Sequence, residues 1–323
     1  MDLSTLTTMS KIIKSDTILI TGAGGGLGVA LIALLKENGF NNLLTPTKDD
    51  LDLLNLVSLI DYFSKNKPKS VIHLASIVFG LQGNIDNQML SLVNNTQINA
   101  NLFSVINDFP VEYVFFAGTV ASYSYPYKNI PLIETDFFNG LPHHGEFGYA
   151  MSKRHAYSYL KILAETKSIR FNYGVFTNLY GEHDRFNQAT GHVIPSLIVK
   201  AFNASQHGEA LTVWGDGSAQ RDFLHFKDAA KAILTCLEVE SSEQLLNISS
   251  GVGVSIAQLT ELVARAAGVA NVEFLTDKPV GIKSRVVDNS LLKSIGFSQS
   301  IALDTGIKDL YNWYLSNVNK VRT

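Results

Sequence analysis

The segment 16–39 leaves this chain few ways to fold. A short apolar run rich in β-formers, DTILI at 16–20, meets a glycine cluster, TGAGGGLG, at Thr21–Gly28. An amphipathic stretch, VALIALLKENGF, follows and ends on Gly39, as a helix C-terminus does. Gly22, Gly25 and Gly28 are spaced G-x-x-G-x-x-G, with Gly26 and Leu27 completing the turn. At such a junction the backbone must turn tightly, approach a pyrophosphate closely and pack a helix on a strand. Side chains would obstruct all three. The helix N-terminus then presents free N–H groups and the positive end of its dipole to the phosphates. A glycine cluster alone would be weak evidence. Between this strand and this helix, it reads as a dinucleotide-binding loop.

The rest of the chain repeats the alternation. NNLLTPT, the helix-like LLNLVSLIDYFSKNKP and the apolar SVIHLAS come first, then a long helix over 88–107. VEYVFFAGT (111–119) is a strand, 149–166 a helix, and IRFNYGVFTNLYG a strand running into a turn. Strands alternating with helices predict an α/β fold: a Rossmann-type doubly wound parallel sheet covered on both faces. From about 182 the pattern loosens through HVIPSLIVKAFNA, TVWGDGSAQRDFLH, a helix at 227–238 and a final helical region at 254–268. We expect a loose arm over 1–15, a mainly dinucleotide-binding domain over 16–181, and a smaller α/β substrate-binding lobe mainly over 182–323. Some of the last part should return to the first domain, with a ligand cleft between the two.

Composition narrows the functional classes. Charged residues are 17 % against 46 % hydrophobic, which excludes a disordered chain. With 26 Lys+Arg and 29 Asp+Glu the net charge is −3, without the basic excess of a general nucleic-acid binder. The single cysteine, Cys236, lies in the apolar AKAILTCLEV and reads as a buried thiol; one cysteine makes neither an intramolecular disulfide nor a zinc cluster. No metal site is expected. No run reaches the ~18 apolar residues of a membrane span, and MDLSTLTTMSKIIKSD is too polar for a signal peptide. A cytoplasmic chain that avoids membranes fits these features.

Cofactor preference is read at the second strand. NAD sites often place an acid there on the adenosine ribose. Here the strand ends LLTPTK, with Lys48 able to pair with a 2′-phosphate, so NADP(H) is favoured and NAD(H) stays open. The bland alternative for Lys48 is a solvated surface cation. Asp52 and Leu53 are expected near the adenine, and Ala75 among the cofactor-binding residues. Tyr149 and Lys153 are spaced Y-x-x-x-K, which puts both on one helix face. A nearby ammonium favours the phenolate, so we expect Lys153 to lower the Tyr149 pKa toward proton transfer near neutrality. Thr119 ends the strand FFAGT, where its hydroxyl can bond a reacting carbonyl or simply cap the strand.

These residues sit in TGAGGGLG, DDLDLLN, HLAS, YAMSK, NLYGEHDRF, GHVIPSLIVKAF, VWGDGSAQRDFLH and KPVGIKSRVVDNSLLKSIGF. From about Thr17 to the C-terminus the chain resembles the extended short-chain dehydrogenase/reductases that act on nucleotide sugars. Within them it is most similar to the GDP-L-fucose synthase family of 3,5-epimerase/4-reductases. The resemblance implies NADPH, a GDP-linked sugar and a homodimer built through a helical bundle. It implies that Thr119, Tyr149 and Lys153 form the Ser/Thr-Tyr-Lys triad, with Tyr149 protonating the C4 oxygen and Lys153 also on the nicotinamide ribose. His192 matches the acid of the family's epimerisation. Asn178, Lys200 (in place of a usual arginine) and Arg221 fall where the family holds the nucleotide diphosphate, and Trp214 falls in the substrate lobe. Two cations suit a diphosphate on physical grounds as well.

One position departs. The family's epimerase base is a cysteine two residues after the triad hydroxyl, and related dehydratases carry a glutamate there. This chain has Ala121. A methyl group cannot take a proton, whereas epimerisation beside a ketone needs a proton removed on one face and returned on the other. The reading is therefore an NADPH-dependent C4 ketoreductase without C3/C5 epimerisation. Ser122, His143 and His144 are the neighbours that could substitute as base. A bifunctional epimerase/reductase, a C4 epimerase or dehydrogenase that retains its nicotinamide, and a non-catalytic binder are the alternatives.

Overall fold

The structure, a computed structural model, describes residues 12–79, 81–188, 191–239, 245–277 and 281–322. The first half runs β1 (Ile18–Thr21), α1 (Gly26–Glu37), β2 (Leu43–Leu44), α2 (Leu56–Asn66), β3 (Ser70–His73), α3 (Leu81–Asp86), α4 (Gln88–Asp108), β4 (Tyr113–Thr119), α5 (Phe147–Lys167) and β5 (Arg170–Phe176). The second half adds β6 (Asn178–Tyr180), α6 (Val193–His207), β7 (Leu211–Trp214), β8 (Gln220–Arg221), β9 (Phe223–His225), α7 (Phe226–Glu238) and β10 (Leu245–Ile248). It ends with β11 (Val254–Ser255), α8 (Ile256–Ala267), β12 (Val272–Leu275), β13 (Ser284–Arg285), α9 (Ser290–Ser294) and α10 (Leu303–Asn317).

Six parallel strands in the order β2-β1-β3-β4-β5-β10 form the central sheet, the doubly wound α/β arrangement expected. Successive side chains on a strand face opposite ways, and the buried residues sort accordingly. Leu19, Val71, Val114, Phe116 and Val175 join Leu59 and Phe63 of α2, Leu102 and Phe103 of α4 and Leu160 of α5 in one layer. Ile18, Ile20, Ile72, Phe115 and Ile248 join Leu31 and Leu35 of α1 and Ala229, Ile233 and Leu237 of α7 in the other, which also buries Cys236. Both faces are covered, which is why these strands read as near-continuous apolar runs. Strand order reverses between β1 and β3, so the carboxyl ends of these two strands frame the crevice in which such folds bind ligands.

Beyond the sheet, a third core joins α6, α8 and α10 around Leu197, Ile198, Leu211, Leu259, Val263, Ile307, Leu310 and Tyr314. The region at 254–268 is not the last helical one: α10 follows, with Ile307, Leu310, Tyr311 and Tyr314 buried along one face. Of the stretch read as an arm, residues 1–11 lie outside the described residues, and Ile12 packs into the second sheet layer. Among the described residues no helix is long and apolar enough to cross a membrane.

Candidate active site

The glycine loop sits at the strand-order reversal. Gly22 has φ +75°, and a Cβ there would lie 2.7 Å from the Ala75 nitrogen, where the chain leaves β3. A Cβ on Gly28 would lie 2.5 Å from the Gly22 carbonyl oxygen, so the first turn of α1 rests directly on the loop. Gly26 answers to a different neighbour: its Cβ would meet the Phe226 ring at 2.3 Å, so this glycine lets α1 pack on α7. Gly25 is the residue before the helix, at φ −79°, with no side chain to fill the space over the first-turn N–H groups of Gly26, Leu27 and Gly28. That cradle fits a pyrophosphate. Lys48 is exposed on the turn after β2, while Asp52 and Leu53 are half-buried. Asn101 of α4 donates to the Leu53 carbonyl at 3.1 Å and fixes that loop.

The triad residues come from two elements. Thr119 ends β4, and its hydroxyl accepts the Ala121 N–H at 3.2 Å, which leaves its own proton free to point elsewhere. Tyr149 and Lys153 share a face of α5, with the Lys153 ammonium 5.7 Å from the centre of the Tyr149 ring. That ammonium donates to the Ala117 carbonyl at 2.8 Å and lies 4.9 Å from the Phe116 ring centre. The expected lowering of the phenol pKa is not what this structure shows. Burial pushes Tyr149 up to about 12, opposed by a hydrogen bond with Ser76. Burial also lowers Lys153 to about 7. Desolvation is the largest cause for both groups. At neutral pH Tyr149 is therefore a protonated donor. Ser76 escaped the sequence reading although it lies in the HLAS motif; its hydroxyl also donates to Asn95 at 3.0 Å.

Behind Thr119 the floor is closed. Ala121 is buried in a short 3-10 turn, and the buried Ser122 hydroxyl donates to the Ala150 carbonyl at 3.1 Å. His143 accepts the Gly145 N–H at 3.2 Å through Nδ1 and packs edge-on against Tyr125, with His144 beside it at 4.3 Å between ring centres. Burial, then the neighbouring His144, lowers the His143 pKa.

Four of the remaining residues form three groups. His192 is exposed, and its Nδ1 lies 3.2 Å from the buried Asp184 carboxylate, whose hydrogen bond raises the imidazole pKa. Asp184 was not singled out in the sequence, though NLYGEHDRF contains it. Lys200 stands 5.6 Å from the ring centre of Trp214, which is 69 % exposed. Arg221 lies apart from them and donates to the Ile282 carbonyl at 2.7 Å. It is in register on the neighbouring strand with Arg285, which pairs with Glu146. Asn178 belongs to none of these groups and donates to the Asp222 carbonyl at 2.9 Å. Lys200 and Arg221 thus have different immediate neighbours.

A glycine cradle that fits a pyrophosphate and a phenol–ammonium pair on one helix face suit a dinucleotide-dependent oxidoreductase. Comparison with known proteins agrees. Residues 18–249 match the NAD dependent epimerase/dehydratase family. A GDP-L-fucose synthase of Azorhizobium caulinodans is 32 % identical over 308 residues, which are 94 % of this chain and 97 % of that protein. The NADP-bound GDP-L-fucose synthetase of Naegleria fowleri superposes with a TM-score of 0.89 at 27 % identity, covering 97 % of each chain. A GDP-mannoheptose C4 reductase of Campylobacter jejuni with NADP bound gives 0.84 at 26 % identity, covering 94 % of this chain and 99 % of that one. The match extends over most of the chain, and the protein belongs to the NAD dependent epimerase/dehydratase family.

Proposed function

We propose that this chain is an NADPH-dependent C4 ketoreductase of a GDP-linked 4-keto sugar that leaves C3 and C5 unepimerised. Bound NADPH supplies the hydride. Tyr149 gives its proton to the C4 oxygen, Thr119 hydrogen-bonds that oxygen, and Lys153 stabilises the phenolate left behind and holds the nicotinamide ribose. Gly22, Gly25 and Gly28 admit the pyrophosphate, and Lys48 faces the adenosine 2′-phosphate. Arg221, with Asn178, Lys200 and Trp214 across the cleft, holds the nucleotide diphosphate. The observation that carries this reading is Ala121, a methyl beside a complete proton-donor set. NADP and GDP-sugar reduction in the titles of structural neighbours support it. A second reading, the bifunctional 3,5-epimerase/4-reductase, is favoured by His192 and Asp184, an acid pair of no use to simple reduction.

One reaction in D₂O separates the two. With NADPH and GDP-4-keto-6-deoxy-mannose, a reductase consumes the cofactor and yields product with no deuterium at C3 or C5. Deuterium on either carbon, read by proton NMR and mass, sinks the non-epimerising reading and moves the search to His192, His143 and His144.

The same reading includes a homodimer in the cytoplasm, where NADPH is available. On α4, Met89, Leu90 and Val93 are exposed, as is Ile162 on the adjacent α5. Two copies pairing these faces would bury them in a four-helix bundle. The double substitution Val93→Asp, Ile162→Asp is expected to convert a dimer to a monomer in light scattering. A monomeric parent would rule the dimer out.

A further inference from the structure

The ion pair between Glu146 and Arg285 is unlike the other salt bridges. Both residues are buried, at 9 % and 7 % exposure. The guanidinium grips the carboxylate with two nitrogens, one at 3.2 Å from Oε1 and the other on Oε2, and its Nε donates to the Tyr127 hydroxyl at 2.8 Å. Burial alone would raise the Glu146 pKa, and Arg285 more than offsets it, so the carboxylate stays charged. A buried pair of this kind stabilises a fold no better than apolar side chains of the same size, but it fixes geometry.

Its two ends are informative. Glu146 immediately precedes α5, and Tyr149 is three residues further on. Arg285 lies on β13, in register with Arg221 on β8. A Cβ on Gly148 would lie 2.1 Å from the Gln88 carbonyl oxygen, so the first turn of α5 is wedged against α4 on its other side. We infer that Glu146 and Arg285 are positioning residues for proton donation, holding the Tyr149 phenol in fixed relation to the β8–β13 strand pair that carries Arg221. This rests on Tyr149 being the donor and Arg221 meeting the substrate diphosphate. Arg285 alone contacts the Glu146 carboxylate, and Arg221 on the paired strand feels that charge without touching it, so an anion drawn to Arg221 bears on the strands that anchor the donor helix.

The test uses full-length Glu146→Gln, which keeps shape and loses charge, and Arg285→Lys, which keeps charge and loses the two-pronged grip. A misplacement of about 1 Å costs roughly 10²-fold in rate. Glu146→Gln is expected to lose about that much in kcat, with KM and Kd for NADPH unchanged and faster hydrogen exchange over residues 146–150. Arg285→Lys should fall between it and the parent, and it serves alone if the glutamine variant does not fold. Parental kcat in a folded variant overturns the inference. So does a parallel loss of NADPH affinity, which marks general damage. If the parent reduces no GDP-4-keto sugar, the proposed function fails, and hydrogen exchange still decides: unchanged exchange over 146–150 in Glu146→Gln overturns the bridge.

Discussion

Tyr149→Phe is expected to slow ketone reduction by about 10²–10⁴-fold, the span of a lost general acid, while NADPH binding stays at the parental level. The reason is local. The phenol is protonated at neutral pH in this structure, and only its hydroxyl is removed. The ring remains against Lys153, whose ammonium is already held by the Ala117 carbonyl at 2.8 Å. The glycine cradle is built between β1 and α1, whereas Tyr149 is carried by α5, so the cradle does not depend on the phenol. Fluorescence titration with NADPH and the decay of NADPH absorbance check the two halves separately. A variant that retains more than about a tenth of parental turnover would show another proton donor, and Ser76, bonded to the phenol, would be the first suspect. The Lys153 ammonium sets the pH response. Its charge stabilises the phenolate as it forms, and burial lowers its pKa to about 7. Below that value it is charged and helps; above it the help is lost. kcat/KM for NADPH, which reports groups of the enzyme before cofactor binds, should fall as pH rises through about 7. Lys153→Met should remove that limb and lower the plateau.

What could be read from the sequence was what adjacent residues decide. The glycine spacing with a strand before it and a helix after it placed α1 on the loop, because that requirement acts within a few residues. The Y-x-x-x-K spacing likewise put Tyr149 and Lys153 on one face of α5. What escaped depends on chain segments far apart. Glu146 and Arg285 meet across 139 residues, and nothing near either announces the other. His192 was seen without Asp184, the carboxylate that raises its pKa. The direction of the Tyr149 shift was misjudged for a related reason: spacing shows that an ammonium is near, but not how much water has been excluded. Gly26 shows the same limit, since the sequence does not reveal that Phe226, 200 residues further on, also packs against it.

Arg154, next to Lys153, makes the last and largest stability prediction. It is 8 % exposed, and its partners are neutral: Nε donates to the Ser122 carbonyl at 2.7 Å, and the two terminal nitrogens reach the Gly140 carbonyl at 2.6 Å, the Phe137 carbonyl at 2.6 Å and the Ser124 hydroxyl at 3.1 Å. The rings of Phe137 and Phe138 flank the guanidinium at 5.5 Å each. One side chain on α5 therefore closes the excursion between β4 and α5, which carries the Ala121 floor at one end and Glu146 at the other. Arg154→Met fills the volume but takes the guanidinium from the Ser122 carbonyl and leaves the Gly140 and Phe137 carbonyls to the single Ser124 hydroxyl. Each such buried acceptor costs about 1–3 kcal/mol, partly offset because the charge no longer has to be desolvated. A net loss of about 3 kcal/mol corresponds to a fall of roughly 4–5 °C in melting temperature for a chain of this size. Arg154→Lys keeps the charge but cannot serve donors in three directions, so it should recover only part of the loss. The loop is the element released, so turnover should fall further than NADPH affinity in both variants. Calorimetry beside an NADPH titration checks this. A methionine variant that melts within about 1 °C of the parent would mean water serves those carbonyls as well as the guanidinium does.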